Sequence, residues 1–152
     1  METIGATQGA LTPAIIGATR EGLREARNRI LLALNDEVQY RMAIYRATGD
    51  AELAAHGYEW AKEPGIDWGD PVEVFAALAG EVGKGLHGAA VVIPEALYRH
   101  MIEQPGLPVW THRNPNGGFF YVAEAWAIEE ASGIDLSELI SEIMVEALRY
   151  VR

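Results

Sequence analysis

The sequence predicts a mainly α, α+β fold: a long N-terminal helix packed with four or five shorter helices and a small antiparallel β-hairpin or three-stranded sheet. Three observations predict it. An apolar stripe keeps a helical period from residue 13 to residue 47, Asp70-Pro71 with Glu73 and Asp135 with Glu138 mark later helix starts, and two β-branched and aromatic runs flank Asn114-Pro115-Asn116-Gly117.

In the long helix, Ile16, Thr19, Leu23, Ala26, Ile30, Leu34, Val38, Met42 and Tyr45 recur every three or four residues, and Ile15 and Leu31 widen the stripe. Thr12 has a side-chain oxygen for an orphan backbone donor, and Pro13 suits the first helical position because its fixed φ and missing N–H cost nothing there. Gly49 supplies the stop. Residues 13–47 would run about 52 Å at 1.5 Å per residue, beyond the roughly 30 Å diameter of a small domain. The helix is therefore expected either to break near Asn35-Asp36, with Asp36 capping a second helix, or to pack partly on another chain. Gly17 and Gly22 each cost up to about 1 kcal/mol relative to Ala. They read as locally tolerated, although glycine also admits a close backbone.

The rest of the chain reads in order. Met1 to Leu11 has little to bury and is expected to be a flexible N-terminal arm, leaving residues 12–152 as one helix-rich domain. Ala51 to Lys62 reads as a short helix carrying Leu53, Tyr58 and Trp60, stopped by Pro64-Gly65. Asp70 and Glu73 form a capping box for a helix bearing Val74, Phe75, Leu78, Val82 and Leu86, whose second half Gly80, Gly83 and Gly85 weaken. Ala89 to Ile93 reads as a strand, and Pro94 opens a helix to about Glu103. Val109 to Arg113 and Gly118 to Val122 make a hairpin around a type I turn. A lone hairpin is marginal in water, so a third strand is expected, with Ala89 to Ile93 the candidate. Ala123 to Ala131 reads as helix stopped by Ser132-Gly133, and a last helix follows Asp135.

Composition narrows function. With 49% apolar and 22% charged residues among 152, the chain reads as an ordinary soluble globule, with a cytoplasmic or in-particle setting as the expectation. No apolar run approaches the roughly 18 residues of a membrane span, and no secretory leader is evident. Zero cysteines exclude disulfides, thiolate catalysis and a Cys-ligated zinc site. A net charge of −10 argues against direct nucleic-acid binding, which needs a basic face. The charge is uneven: residues 1–48 carry six basic against five acidic residues, and residues 49–152 carry six against seventeen. An Arg-rich helix and an acidic body invite pairing within a chain or between chains.

That asymmetry yields the candidate contact residues. Arg20, Arg24 and Arg27 line up beside the apolar stripe, and Glu138, Glu142 and Glu146 form a strip of spacing four on the last helix. Trp110, Phe119, Phe120, Tyr121 and Trp126 are the densest aromatic cluster. Alternation puts Phe119 and Tyr121 on one face of the hairpin and Phe120 on the other, so one aromatic face is open unless the following helix folds back over it. Chemistry is poorly represented. The histidines His56, His87, His100 and His112 have no metal-ligand spacing, although Glu52 and His56 sit one helical turn apart as a surface pair or half a metal site. Gly83, Gly85 and Gly88 lack the GKS/T of a phosphate loop.

Ala79-Gly80-Glu81-Val82-Gly83-Lys84-Gly85-Leu86 resembles a fragment of the MazG-related all-α nucleotide pyrophosphohydrolases. The resemblance implies Mg²⁺ held by two helices with paired acidic residues at i, i+3, acting on a triphosphate. Here only Glu81 matches: Lys84 stands at the second acidic place, and Glu95 is followed by Tyr98. The expected function is accordingly non-enzymatic: a homo-oligomeric structural or assembly protein without cofactors, such as a connector or neck component of a phage-like particle. The alternatives are an acidic docking module for a basic protein and a metal-dependent pyrophosphohydrolase.

Overall fold

A computed structural model describes the backbone of residues 11–58 and 65–148, and side chains up to Val145. The predicted arm up to residue 10, the segment containing Trp60 and Lys62, and the Glu146 side chain lie outside the described residues. Within them, six helices and three strands follow one another: α1 (Pro13–Thr48), α2 (Ala51–Ala55), α3 (Pro71–His87), β1 (Ala90–Ile93), α4 (Glu95–Ile102), β2 (Val109–Arg113), β3 (Phe119–Glu124), α5 (Ala125–Ser132) and α6 (Leu136–Leu148). The α+β class, the long helix and the three-stranded antiparallel sheet are as the sequence predicts. No helix among the described residues is long and apolar enough to cross a membrane.

Helix α1 is a single run of 36 residues. The Thr12 hydroxyl accepts from the Ile15 N–H at 3.3 Å, and Gly49 ends the helix at φ +67°, donating to Tyr45 O at 2.7 Å. The alternative of a break near Asn35-Asp36 is not realised, because Leu34, Val38 and Met42 keep burying the same stripe through that point. Every member of the predicted stripe is buried or half-buried. Thr19, its one fully buried polar residue, donates its hydroxyl to Ile15 O at 2.7 Å.

Contacts group the chain into two compact units, one formed by Met1–Ala26 with Leu86–Leu136, the other by Arg27–Gly85 with Ser137–Arg152. The first unit holds the sheet, in the order β1-β3-β2. Helix α4 packs on β2 and β3, and α5 packs on β3 and α4. Val91, Ile93 and Ala123 on one sheet face are buried, as are Leu97 and Met101 of α4 and Ile128 of α5. Tyr98 of α4 meets Tyr121 on that face with ring centres 4.8 Å apart. Strand β3 runs two residues past its predicted end, so α5 begins at Ala125 instead of Ala123. Pairing of Ala123 and Glu124 with β1 claims them for the ladder. Gly133, at φ +77°, then stops α5 by donating to Glu129 O at 2.8 Å.

The second unit is helical around Val38, Met42, Trp68, Val74, Leu78, Val82 and Ile143. Asp70 caps α3 by accepting from Val72 N at 3.1 Å, while Glu73 reaches past the cap residue to Asp67 N at 3.2 Å. The capping box is thus extended by one turn of loop, with Asp67 itself closing on Gly69 N at 2.9 Å. This ties down the loop that delivers Trp68 to the core. The predicted helix over residues 51–62 is cut short: α2 ends at Ala55, and Gly57 turns the chain at φ +82°. Arg41 stabilises that end. Its guanidinium donates to the Ala54 and His56 carbonyls, pairs with Glu37 at 2.8 Å and lies 4.5 Å from the Tyr58 ring centre.

Candidate functional site: the open face and free edge of the sheet

Strand register decides what each side chain of the sheet faces. Val92, Val122 and Trp110 form one row across β1, β3 and β2, and His112 pairs with Phe120 in the next bonded position. These residues alternate with the buried set, so they share the opposite face. Val92 is 53% exposed, Trp110 38% and Phe120 39%, while Val122 between them is only 7% exposed. The outcome is an apolar patch with a buried centre and an open surround. The helix after β3 does not close it.

The sheet has two outer edges with different surroundings. The Asn114 N–H donates to Gly118 O at 3.0 Å, making these a bonded pair. Antiparallel alternation then makes His112–Phe120 and Trp110–Val122 bonded pairs. The backbone N–H and C=O of Val109, Thr111 and Arg113 consequently point away from β3. At the other edge the same alternation, anchored by Ala125 N to Ala89 O at 3.0 Å, turns the polar groups of Ala90 and Val92 outward. There α1 intervenes. A methyl group at Gly22 would lie 2.6 Å from the Val92 carbonyl oxygen and 3.3 Å from Val91 Cγ1, so the helix backbone is pressed directly against the β1 edge. Glycine at position 22 is required by that approach, which corrects its reading as mere local tolerance. Gly17, with nothing within 4 Å of an added methyl, keeps that reading. Among the described residues, no backbone hydrogen bond reaches the outward groups of β2.

The predicted contact residues separate in the structure. Trp110 and Phe120 come together with Val92 and Val122. Phe119, 60% exposed, has the other parity and sits at the hairpin end beside Arg113; Tyr121 is engaged with Tyr98. Trp126 is half-buried and donates its indole N–H to Glu124 at 2.5 Å. Of the arginine row, Arg20 is half-buried, and Arg24 pairs with Glu21 at 2.6 Å. Arg27 donates to the Leu139 carbonyl at 2.7 Å and lies 3.4 Å from Glu142. That member of the predicted arginine-to-acid pairing is therefore made within the chain. Glu138 is exposed. Val92, Val122, Gly22 and the β2 edge were missed by sequence reasoning. Only the continuous β-branched run Val91-Val92-Ile93 and a mid-helix glycine, which admits a close backbone, signal them.

For chemistry the geometry is sparse. Among the described residues no group of three or more His, Asp or Glu is placed to hold a metal ion. Glu81 lies 3.5 Å from Lys84 on the same helix. Glu52 and His56 line a shallow cavity of about 310 Å³ beside Trp68. The Trp68 indole nitrogen is buried with no hydrogen-bond partner among the described residues. No family model, curated protein or solved structure matches the chain.

Proposed function

We propose that the protein is a non-enzymatic assembly component that works by self-association through the sheet of its first unit. The observation carrying this reading is the exposure of Val92, Trp110 and Phe120 around the buried Val122. Exposed Trp and Phe around a dry centre are what interface anchors are made of. Charge permits a second copy as partner on this part of the surface. At −10 overall, two copies repel across most of their surfaces, yet residues 104–123 contain no acidic residue and include both Trp110 and Phe120. The uninterrupted α1 suits a structural part, such as a connector or neck component of a phage-like particle.

Light scattering over a concentration series tests the reading. The wild type is expected to exceed the 16.6 kDa monomer mass increasingly with concentration, and Trp110→Asp with Phe120→Asp to return it to the monomer. A strict monomer at every concentration would overturn it. An acidic module docking a basic protein is the competing reading; it predicts a monomeric chain that binds polylysine in a salt-sensitive manner.

A further inference from the structure

We infer that two copies join edge to edge, β2 against β2 in antiparallel register about a two-fold axis through Thr111, to form a continuous six-stranded sheet. The inference rests on the self-association reading and specifies its geometry.

Three observations converge on it. First, α1 at Gly22 stands against the outward Val92 carbonyl of the β1 edge, whereas among the described residues no backbone hydrogen bond reaches the outward groups of β2. An unpaired edge is a template for another strand. Second, the outward groups of β2 are self-complementary. Antiparallel bonded pairs recur at every second residue, so centring on Thr111 pairs it with its own copy and pairs Val109 with Arg113 of the second copy on both sides. Every outward N–H and C=O of the strand then has a partner. A register displaced by one residue would set outward groups against inward ones. Third, side chains agree with that register. Thr meets Thr across the axis, a favourable cross-strand pair. On the open face Trp110 falls opposite His112 of the second copy, extending the row Val92–Val122–Trp110 into the neighbouring sheet. No carboxylate lies in β2, so the two acidic chains meet along a strand whose only full charge is Arg113.

The contact is small beside the roughly 800 Å² per partner of a standard interface, so the dimer is expected to be concentration-dependent. Charge swapping at the axis tests it. Thr111→Lys and Thr111→Glu each place like charges opposite one another, and each alone is expected to sediment as a monomer at concentrations where the wild type is dimeric. Mixed one to one, they are expected to recover the dimer. Circular dichroism matching the wild type shows that each variant is folded. The absence of native cysteine permits a second readout: Thr111→Cys is expected to oxidise to a covalent dimer, because a bonded antiparallel pair lies about 5.5 Å apart at Cα, within disulfide reach. Asn116→Cys, at the turn, is expected not to. If the wild type dimerises but both charge variants still do so alone, edge pairing is overturned while self-association stands. A dimer indifferent to residue 111 but lost in Trp110→Asp assigns the second copy to the open face instead. A wild type that is always monomeric overturns both.

Discussion

Strands β1 and β2 both border the sheet, pair with the same central strand and are nearly equal in length, yet they meet different environments. Along β1 the outward Val92 carbonyl faces the backbone of α1 at Gly22, and Val91 and Ile93 are buried. Along β2 the residues from Trp110 to Arg113 are all exposed. An edge strand is an aggregation hazard unless covered, charged or interrupted. A glycine-notched helix stands at the Val92 carbonyl of one edge and the other edge is bare, so the two edges are not equivalent as templates for a further strand. Under the edge pairing proposed above, the same open edge would form a contact that saturates at two copies.

The two edges differ most at one row of the sheet. Ile93 and Thr111 flank Tyr121 on its two sides, one 4% exposed and the other open to solvent. Truncation should expose the difference. Ile93→Ala is expected to cost about 3 kcal/mol through lost burial and a residual cavity, and Thr111→Ala to stay within about 0.5 kcal/mol, both read from urea unfolding of the dilute monomer. Equal losses would mean that β2 is covered in solution.

Gly22→Ala is expected to have the next largest effect, a loss of about 1–2 kcal/mol. Ala favours a helix over Gly by up to about 1 kcal/mol, but the added methyl meets a backbone oxygen, which cannot rotate away as a side chain would. A stability equal to or above wild type would show that α1 does not seal the β1 edge at position 22.

These two sites also mark how far the sequence could be read. The helical period of α1, the Asp70 and Gly133 boundaries, the Asn114–Gly117 turn and the recruitment of residues 90–93 as third strand were all legible, because each depends on residues close in the chain. The Trp110 and Phe120 alternation was legible for the same reason. What a period does not contain is the partner of a surface. Position 22 looks like position 17 until Val92 is placed beside it, and Val122 looks like a routine strand valine until Val92 and Trp110 are set at its flanks. Likewise, Glu73 matched a capping pattern, but its use of Asp67 depends on how the preceding loop bends.

Arg27 carries the closed-versus-open distinction onto the helix surface. Its side chain is 11% exposed and donates to the Leu139 carbonyl, whereas Arg24 pairs with Glu21 at a side chain 33% exposed. Arg27→Ala is expected to lose about 1 kcal/mol, most of it surviving in molar salt, since a hydrogen bond to a carbonyl and the packing of a side chain only 11% exposed are screened less than an exposed ion pair. Arg24→Ala is expected to stay within about 0.5 kcal/mol and to approach zero in salt. A salt-sensitive loss at Arg27 would transfer the weight from the carbonyl to Glu142.

The smallest expected effect is a gain. Gly17 belongs to the same helix as Gly22 and lies five residues away, but a methyl group there meets nothing within 4 Å. Replacing it with Ala therefore brings the propensity benefit without the steric cost: the unfolded chain loses backbone freedom and the helix loses none of its contacts. The expected result is about 0.5–1 kcal/mol of added stability, seen as a rise of roughly 2 °C in the melting temperature of a chain this size. Because both glycines sit in one helix, the opposite signs at 17 and 22 isolate the contact with β1 from any general property of α1. If Gly17→Ala also lowered the melting temperature, the loss at Gly22 could no longer be assigned to the Val92 carbonyl, and the contact of α1 with the β1 edge would lose its independent support.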